Sequence, residues 1–282
     1  MSHQNYKDSR VVKLGHINYV NSLPIYDAIF ENEVKFSGQI VSAHPAELNH
    51  LIEIGELDIS PISSIEYARN QDQFQLLNGL CINSHGAVYS VLLASSLPLS
   101  ELNGKRIGLT ENSATAQAIV KILLQDIYGF QCEFVTIPFS KCGLLESVEA
   151  ELIIGDAAFL YKNKFPFCYD LAEEWLKETG KSVVFAVWVV RKEFAKNFPD
   201  LVLSTEKILL ESYHKLNRER IIEKSKKTLH LGELEIQNYF NALGYDFNES
   251  MKDSLLYFYE KAHHCKLTPA CIKLKFWNQK AI

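Results

Sequence analysis

Apolar and polar positions alternate with two different periods through the first two thirds of the chain. Residues 11–17, 34–42 and 57–64 are short, mainly apolar runs of the kind that form buried strands. Between the last two runs, residues 45–55 repeat apolar side chains three and four positions apart, which predicts a helix that ends at a glycine. Because strands that alternate with helices form βαβ units, we expect a mostly parallel sheet covered on both faces.

The same pattern starts again after a segment rich in turn residues, 95–106. Residues 106–110, 132–138 and 151–155 are the next predicted strands, and 113–128 is the predicted helix between the first two. After the apolar run VVFAVWVV the β signal almost disappears, and the rest of the chain has the periodicity of successive helices. This order indicates a second α/β unit, followed by a helical C-terminal part.

The order of elements predicts two α/β lobes. Lobe I comprises residues 1–94 plus 188–282, and lobe II comprises residues 95–187 inserted between these two parts. Strands near 88–95 and 183–191 carry the chain from one lobe to the other. Since two lobes joined by two crossings form a clamp, we expect a ligand cleft between them.

Charge and cysteine usage exclude several classes of partner. Lys and Arg number 29 against 34 Asp and Glu, a formal net charge of -5, which argues against a broad nucleic-acid surface. The run VVFAVWVV is far shorter than the ~20 apolar residues that span a bilayer, and the polar start MSHQNYKDSR has no signal-peptide core. The six cysteines form no CxxC pair, as is typical of reduced thiols. We expect a cytoplasmic protein with no nucleic-acid and no membrane partner.

Motifs for nucleotides and metals are missing from the sequence. No GxGxxG follows a strand, and neither GxxxxGK[ST] nor HExxH occurs. The nearest approach to a metal cluster is His263 and His264 with Cys265 and Cys271. Adjacent side chains on a helix point about 100° apart, so the two histidines do not converge on one ion. The sequence therefore predicts no metal and no organic cofactor.

Small polar residues and glycines follow the carboxyl ends of five predicted strands. Ligands bind at that edge in open α/β sheets. One such segment alone is typical of an ordinary βα turn, whereas five on one cleft favour a ligand site. The candidate binding residues are Tyr19, Asn21, Ser22, Ser63, Ser84, Gly86, Ser90, Asn112, Ser113, Ala114, Thr115, Gly155 and Asp156.

The helix predicted after the strand 106–110 is suited to an anion. Asn112 or Ser113 caps this helix, and its first-turn amides have no partner within the helix. Because those amides and the helix dipole favour negative charge, we expect the segment from Ser113 to Thr115 to hold a carboxylate.

Six ordered blocks within residues 11–192 together resemble one known family. They are GHINYVNSLPIY, GELDISPISSIEY, GAVYSVLLAS, NGKRIGLTENSATA, LIIGDAA and YDLAEEWLKETGKSVVFAVWVVR. This combination resembles the chorismate dehydratases of the futalosine route to menaquinone. The resemblance implies a two-lobe periplasmic-binding-protein-like fold of type II that works as an enzyme in the cytoplasm.

The resemblance also implies an activity and two functional residues. The activity is dehydration of chorismate, a small-molecule substrate, to 3-[(1-carboxyvinyl)oxy]benzoate, which makes the protein a carbon–oxygen lyase. The functional asparagine of the family falls on Asn21 within YVNSLP, and its functional serine falls on Ser90 within GAVYSV. We expect these two side chains to be catalytic.

Two other functions stay open at this point. The same clamp could serve as a non-catalytic trap for a small carboxylate in a solute-binding protein, although the polar N-terminal segment argues against that. A different enzyme of the same pathway could use this fold for a nucleoside-derived intermediate. Incubation with chorismate distinguishes the first alternative, and ligand specificity distinguishes the second. The sequence predicts no particular oligomeric state.

Overall fold

The computed structural model describes residues 10–138, 143, 145, 147–270 and 272–278. Its strands are β1 (Lys13–Ile17), β2 (Gln39–Ala43), β3 (Ile59–Ser63), β4 (Phe74–Ser84), β5 (Val91–Ser95), β6 (Arg106–Thr110), β7 (Glu133–Ile137), β8 (Ala150–Ile154), β9 (Phe167–Asp170), β10 (Val183–Arg191) and β11 (Leu243–Phe247). Its α-helices are α1 (Leu23–Phe30), α2 (Pro45–Glu53), α3 (Ser64–Arg69), α4 (Ala114–Lys121), α5 (Asp156–Tyr161), α6 (Leu171–Thr179), α7 (Lys192–Asn197), α8 (Pro199–His214), α9 (Arg218–Leu229), α10 (Glu233–Ala242) and α11 (Glu249–His264). Short 3₁₀ turns span Val20–Ser22 and Leu99–Glu101, and a π-helical segment, Ile122–Ile127, continues α4.

The larger sheet has six strands in the order β11-β4-β10-β3-β1-β2. β1 pairs in parallel with β2 and with β3, as expected of βαβ units. β10 is antiparallel to β3 and β4, and β11 is antiparallel to β4. The sheet is therefore mixed rather than mostly parallel, because β10 enters it from the smaller sheet in the opposite direction.

The smaller sheet has five strands in the order β7-β6-β8-β5-β9. β6 is parallel to β7 and β8, whereas β5 is antiparallel to β8 and β9. The chain passes from the larger to the smaller sheet between Ser84 and Val91, and it returns between Asp170 and Val183. The limits 95–187 for lobe II and 1–94 plus 188–282 for lobe I stay a prediction.

Local signals account for several helix ends. Asp170 caps α6, because its side chain accepts hydrogen bonds from the N–H groups of Ala172 and Glu173. The same helix ends at Gly180, which has the left-handed conformation common at helix C-termini. The sequence LAEEWLKETG predicts a helix over 171–180, and the structure confirms it with α6.

Two expectations about strands are wrong. The stretch 88–95 was expected to be extended throughout, but β5 begins at Val91 and Ser90 precedes it. The C-terminal part was expected to be helical, but β11 pairs with the edge of β4. The sequence of β11, LGYDF, alternates buried Leu243, Tyr245 and Phe247 with less buried residues, which is the period of a strand. The five residues lie between two helices, and the helical periodicity of the rest of this part hid their shorter period.

The apolar core is continuous through both sheets. In its centre the indole N–H of Trp188 on β10 donates to the hydroxyl of Tyr26 at 3.0 Å. That hydroxyl donates in turn to the carbonyl of Gly15 on β1 at 2.7 Å. This buried chain of hydrogen bonds fixes α1 against β1 and β10, and so it holds the segment between β1 and α1 in place.

Candidate active site

Residues of both sheets and of their connections line a cleft. Its polar side chains are few, and they belong to Tyr19, Asn21, Ser63, Ser90 and Ser113. The apolar part of its wall is formed by Ile17, Pro45, Ile82, Val88, Val91, Ile154, Phe185, Ala186 and Leu243. A mainly apolar cleft with a few placed polar groups is typical of a small-molecule site.

Asn21 lies in the 3₁₀ turn that follows β1, and its backbone is held from two sides. The hydroxyl of Tyr245 donates to the carbonyl of Asn21 at 2.8 Å. The next residue, Ser22, is fully buried and donates to the carbonyls of Ile17 and Tyr19 at 2.6 and 2.9 Å. Ser22 therefore shapes the turn that presents Asn21 to the cleft.

A neutral histidine supports the same turn. The Nε2 atom of His16 lies 2.9 Å from the hydroxyl of Ser22, and its Nδ1 atom lies 2.9 Å from the hydroxyl of Ser42. Burial lowers the pKa of His16 to about 4, because the charged ring would lose its hydration there. At neutral pH the uncharged ring therefore bridges the two serines and holds the turn to β2.

Ser90 is buried and sits at the contact between β5 and the turn after β8. Its carbonyl accepts a hydrogen bond from the N–H of Gly155 at 2.8 Å. The loop before it is fixed by Asp170, whose carboxylate accepts from the N–H groups of Val88 and Tyr89 at 2.9 and 2.6 Å. Tyr89 has a positive φ of 63°, as the sharp entry into β5 requires. These bonds fix the place of the serine hydroxyl on the cleft wall.

The start of α4 meets the cleft at Ser113. The hydroxyl of Ser113 caps the helix by accepting from the N–H of Ala116 at 3.3 Å. The side chain of Thr115 is used otherwise, since it donates to the carbonyl of Phe185 at 3.1 Å and accepts from the N–H of Ile65 at 3.3 Å. The side chain of Thr115 thus ties α4 to β10 and α3. The group of Thr115 that corresponds to the predicted carboxylate donor is its backbone N–H.

Gly155 and Asp156 form the turn from β8 into α5. Gly155 has a φ of +65°, and the ring of Tyr19 packs closely against its α-carbon side. Burial raises the pKa of Asp156 to about 6, while a hydrogen bond from the N–H of Val20 opposes that shift. Its Oδ1 atom is buried and has no hydrogen-bond partner among the described residues.

The structure brings about half of the predicted site residues to the cleft. Those that line it are Tyr19, Asn21, Ser63, Ser90, Ser113 and Gly155. Those that do not line it are Ser22, Ser84, Gly86, Asn112, Ala114, Thr115 and Asp156. Among the second group the hydroxyl of Ser84 donates to the carbonyl of Gly86 at 2.7 Å, which closes the turn after β4. The roles assigned to both groups stay predictions.

Sequence reasoning missed Tyr239 on α10. Its side chain is buried, and its hydroxyl donates to the hydroxyl of Ser90 at 3.3 Å. The helical pattern of α10 indicates a buried aromatic face, but no local feature distinguishes this tyrosine from a core residue. Its place follows from the tertiary structure.

The described residues contain no group of three or more His, Cys, Asp or Glu side chains arranged to hold a metal ion. His263 instead places its Nδ1 atom 3.2 Å from the carbonyl of Thr268, and Cys271 lies outside the described residues. No described helix is both long and apolar enough to cross a bilayer.

Two α/β lobes with a small-molecule cleft between them define a periplasmic-binding-protein-like fold of type II. The chain is similar to protein AF1704 from Archaeoglobus fulgidus, with a TM-score of 0.74 and 18% identity over 92% of this chain and 99% of that chain. It is also similar to the Candida albicans CA3427 gene product, which has the generic periplasmic binding protein fold, with a TM-score of 0.67 and 12% identity over 96% and 99% of the two chains. The fold expected from the sequence is confirmed.

Residues 12–264 match the family model described as menaquinone biosynthesis, and the chain belongs to this family. It is similar to the chorismate dehydratase of Thermus thermophilus, with 32% identity over 199 residues that cover 64% of this chain and 70% of that protein. The family resemblance carried by the six sequence blocks is therefore confirmed.

Proposed function

We propose that this protein is a hydro-lyase that dehydrates chorismate to 3-[(1-carboxyvinyl)oxy]benzoate, the first step of the futalosine route to menaquinone. The observation that carries the proposal is the joint position of Asn21 and Ser90 on one cleft, in a chain that belongs to the menaquinone biosynthesis family. The similarity to a chorismate dehydratase over 199 residues supports the same substrate.

The reaction removes water across one carbon–carbon bond of the ring. The C3–H bond and the C4–O bond break, a double bond forms between C3 and C4, and the cyclohexadiene becomes a benzoate. The C3 proton is acidic because the ring carboxylate can accept the developing negative charge through the C1–C2 double bond. An enzyme that holds that carboxylate with preorganised donors therefore stabilises the transition state.

The start of α4 meets the cleft at Ser113 and supplies donors for this task. The first-turn amides of a helix have no intrahelical partner, and the hydroxyl of Ser113 occupies the N–H of Ala116. The N–H groups of Ala114 and Thr115 are then the donors for one substrate carboxylate, and the helix dipole adds to their attraction. The segment from Ser113 to Thr115 keeps its predicted role in this proposal.

Asn21 and Ser90 orient the side-chain carboxylate of the substrate or the departing hydroxyl. Neither side chain is a strong base, so we assign the proton transfer to the enolpyruvyl carboxylate of the substrate itself. This carboxylate takes the C3 proton and passes it to the departing C4 oxygen, so that water leaves and the carboxylate is restored. The protein supplies position and polarity, which can account for a large part of the rate. The apolar wall around these two groups strengthens their hydrogen bonds by excluding water.

The experiment that tests the function is incubation of the purified protein with chorismate. We expect an aromatic product, followed by its absorbance and identified by its mass. Asn21→Ala and Ser90→Ala are each expected to lower turnover about 10²–10³-fold, the usual cost of one hydrogen bond to charge that develops in the transition state. No conversion by the parent protein would refute the proposal.

A control variant separates the site from the fold. Ser254 on α11 is buried, and its hydroxyl donates to the carbonyl of Ser250 at 2.9 Å. Ser254→Ala removes a buried serine hydroxyl away from the cleft, so its turnover should stay within about threefold of the parent. If Ser90→Ala also keeps turnover within that range and melts normally, the role assigned to Ser90 is wrong.

The fold also supports a second candidate function, a trap for a small carboxylate without catalysis. The similarity to proteins with the periplasmic binding protein fold favours it. Such a protein would bind chorismate and release it unchanged. An enzyme of the same family with another substrate would not bind chorismate. Calorimetric binding measured beside the turnover assay distinguishes these outcomes.

We propose the cytoplasm as the compartment of the reaction. The four described cysteines, Cys81, Cys132, Cys168 and Cys265, are free thiols. Reduced thiols are typical of a cytoplasmic protein. Their quantitative reaction with a thiol reagent under denaturing conditions, without prior reduction, is the expected result.

A further inference from the structure

Tyr239 reaches the cleft wall from α10, which is far from the other site residues in sequence. Its side chain is 1% exposed, and its ring packs edge-to-face against Phe159 of α5 with the ring centroids 4.9 Å apart. The hydroxyl at the tip of this ring donates to the Oγ atom of Ser90 at 3.3 Å. A side chain of the C-terminal part of the chain is thereby hydrogen-bonded to the predicted catalytic serine.

The surroundings of Tyr239 keep its hydroxyl protonated. Burial raises the pKa of Tyr239 far above its ordinary value, and the nearby charge of Asp156 raises it further. Hydrogen bonds with the side chains of Ser90 and Asn21 act in the opposite direction but do not offset burial. The hydroxyl therefore remains a donor throughout the range of pH in which the protein would work, and it lies within reach of both predicted catalytic side chains.

The direction of this hydrogen bond determines what Ser90 can do. A serine hydroxyl has one proton and can rotate among three staggered positions. Because Tyr239 donates to its oxygen, the proton of Ser90 is directed away from Tyr239 toward another acceptor. Ser90 lines the cleft, so an oxygen atom of a bound substrate is in the right place to accept it.

We propose that Tyr239 is a positioning residue for the dehydration, which fixes the hydroxyl of Ser90 as a donor directed into the cleft. This inference rests on the proposed function and adds to it a group on α10. Tyr239 acts through Ser90, and it makes no covalent or proton-transfer step of its own.

The first test is the variant Tyr239→Phe, which removes the hydroxyl and keeps the ring against Phe159. We expect kcat for chorismate to fall about 10- to 100-fold with KM within about threefold, because the substrate still binds but the serine is no longer aligned. The matched control is Tyr67→Phe. Tyr67 is also buried, but its hydroxyl donates to the carbonyl of Lys273 at 2.8 Å and accepts from the N–H of Lys275 at 2.7 Å, and neither partner is a predicted site residue. Its kcat should stay within threefold of the parent.

The second test asks whether Tyr239 acts through Ser90. Tyr239→Phe is combined with Ser90→Ala, and the two single variants and the parent are measured under the same conditions. If the tyrosine positions the serine, its removal should change kcat less than threefold once the serine hydroxyl is absent. Equal fold-losses in the presence and absence of the Ser90 hydroxyl would overturn the inference, because a merely structural role would give that result.

These measurements also separate the inference from the function on which it rests. An active parent whose Tyr239→Phe variant keeps kcat within threefold overturns the positioning role and leaves the proposed function intact. A parent without any conversion of chorismate overturns the proposed function and the inference with it. Thermal melts of each variant, compared with the Tyr67→Phe control, show that turnover is compared between folded proteins.

Discussion

Replacing Gly155 by alanine changes both the backbone and the cleft at one position. Gly155 has φ +65° and ψ -147°, a combination that residues with a β-carbon rarely adopt. A β-carbon built on Gly155 would lie 2.9 Å from two atoms of the Tyr19 ring. Because both residues line the cleft, the substitution must strain the turn after β8 and push the Tyr19 ring away from it.

The magnitude follows from these two effects. A residue held in so rare a backbone conformation costs of order 1–3 kcal/mol. Forcing an additional carbon into a packed position typically costs a further 1–3 kcal/mol. The Tyr19 ring can move at some cost, so we expect Gly155→Ala to lower the free energy of unfolding by about 3–4 kcal/mol.

Urea unfolding and chorismate turnover are the two assays, and Gly180→Ala is the control. Gly180 also has a positive φ, +67°, but no other group among the described residues lies within 4 Å of the β-carbon position. Its substitution should cost about 1–2 kcal/mol from the backbone alone and leave turnover within about threefold. Gly155→Ala should lower turnover at least about tenfold, because its N–H also holds the carbonyl of Ser90.

Two results would refute this reasoning. One is a loss of stability in Gly155→Ala no larger than in Gly180→Ala, which would mean that the Tyr19 ring adds nothing. The other is an unchanged loss when Gly155→Ala is introduced into a Tyr19→Ala background, where the ring is absent. We expect the loss in that background to be smaller by about 1–3 kcal/mol, since only the backbone strain then remains.

Four further predictions concern pH, ligand and metal. Burial lowers the pKa of His16 to about 4, so the stability that its neutral ring contributes is complete above pH 6.5 and is lost as the pH falls toward 4. The free energy of unfolding, measured in urea, should therefore fall by about 3 kcal/mol less between these pH values in His16→Gln than in the parent. Burial raises the pKa of Asp156 to about 6, so its ionisation destabilises the fold above pH 6 and not below pH 4. Asp156→Asn should therefore add about 3 kcal/mol to the free energy of unfolding at pH 7.5 and nothing at pH 4, and equal effects at both would contradict this. Chorismate or product at a hundred times its Kd should raise the unfolding free energy by about 2.7 kcal/mol and reduce the scattering radius, whereas an unchanged radius would indicate a rigid cleft. Turnover should be unaffected by exhaustive chelation and dialysis, and activity restored only by added metal would overturn the predicted independence from cofactors.

Many elements and part of the site were predictable because their signals are local. The strand over 106–110 and the helix over 171–180 follow from apolar periodicity, with an aspartate at the start of that helix and a glycine at its end. The polar segments after β1 and before α4 were expected at a ligand edge, and Asn21 and Ser113 do line the cleft. Turn chemistry and helix capping act over a few residues, so a single sequence is enough to reveal them.

The tertiary structure alone decided which of these polar groups face the cleft and which hold the fold together. Ser22 and Thr115 have the residue type of a ligand contact, yet their hydroxyls bind backbone groups, and Thr115 does so across to β10. Tyr239 is 149 positions from Ser90 in sequence, and the strand with which β11 pairs, β4, lies in the first part of the chain. These outcomes depend on which elements the topology brings together, because hydrogen bonds between distant segments leave no periodic or local trace in the chain.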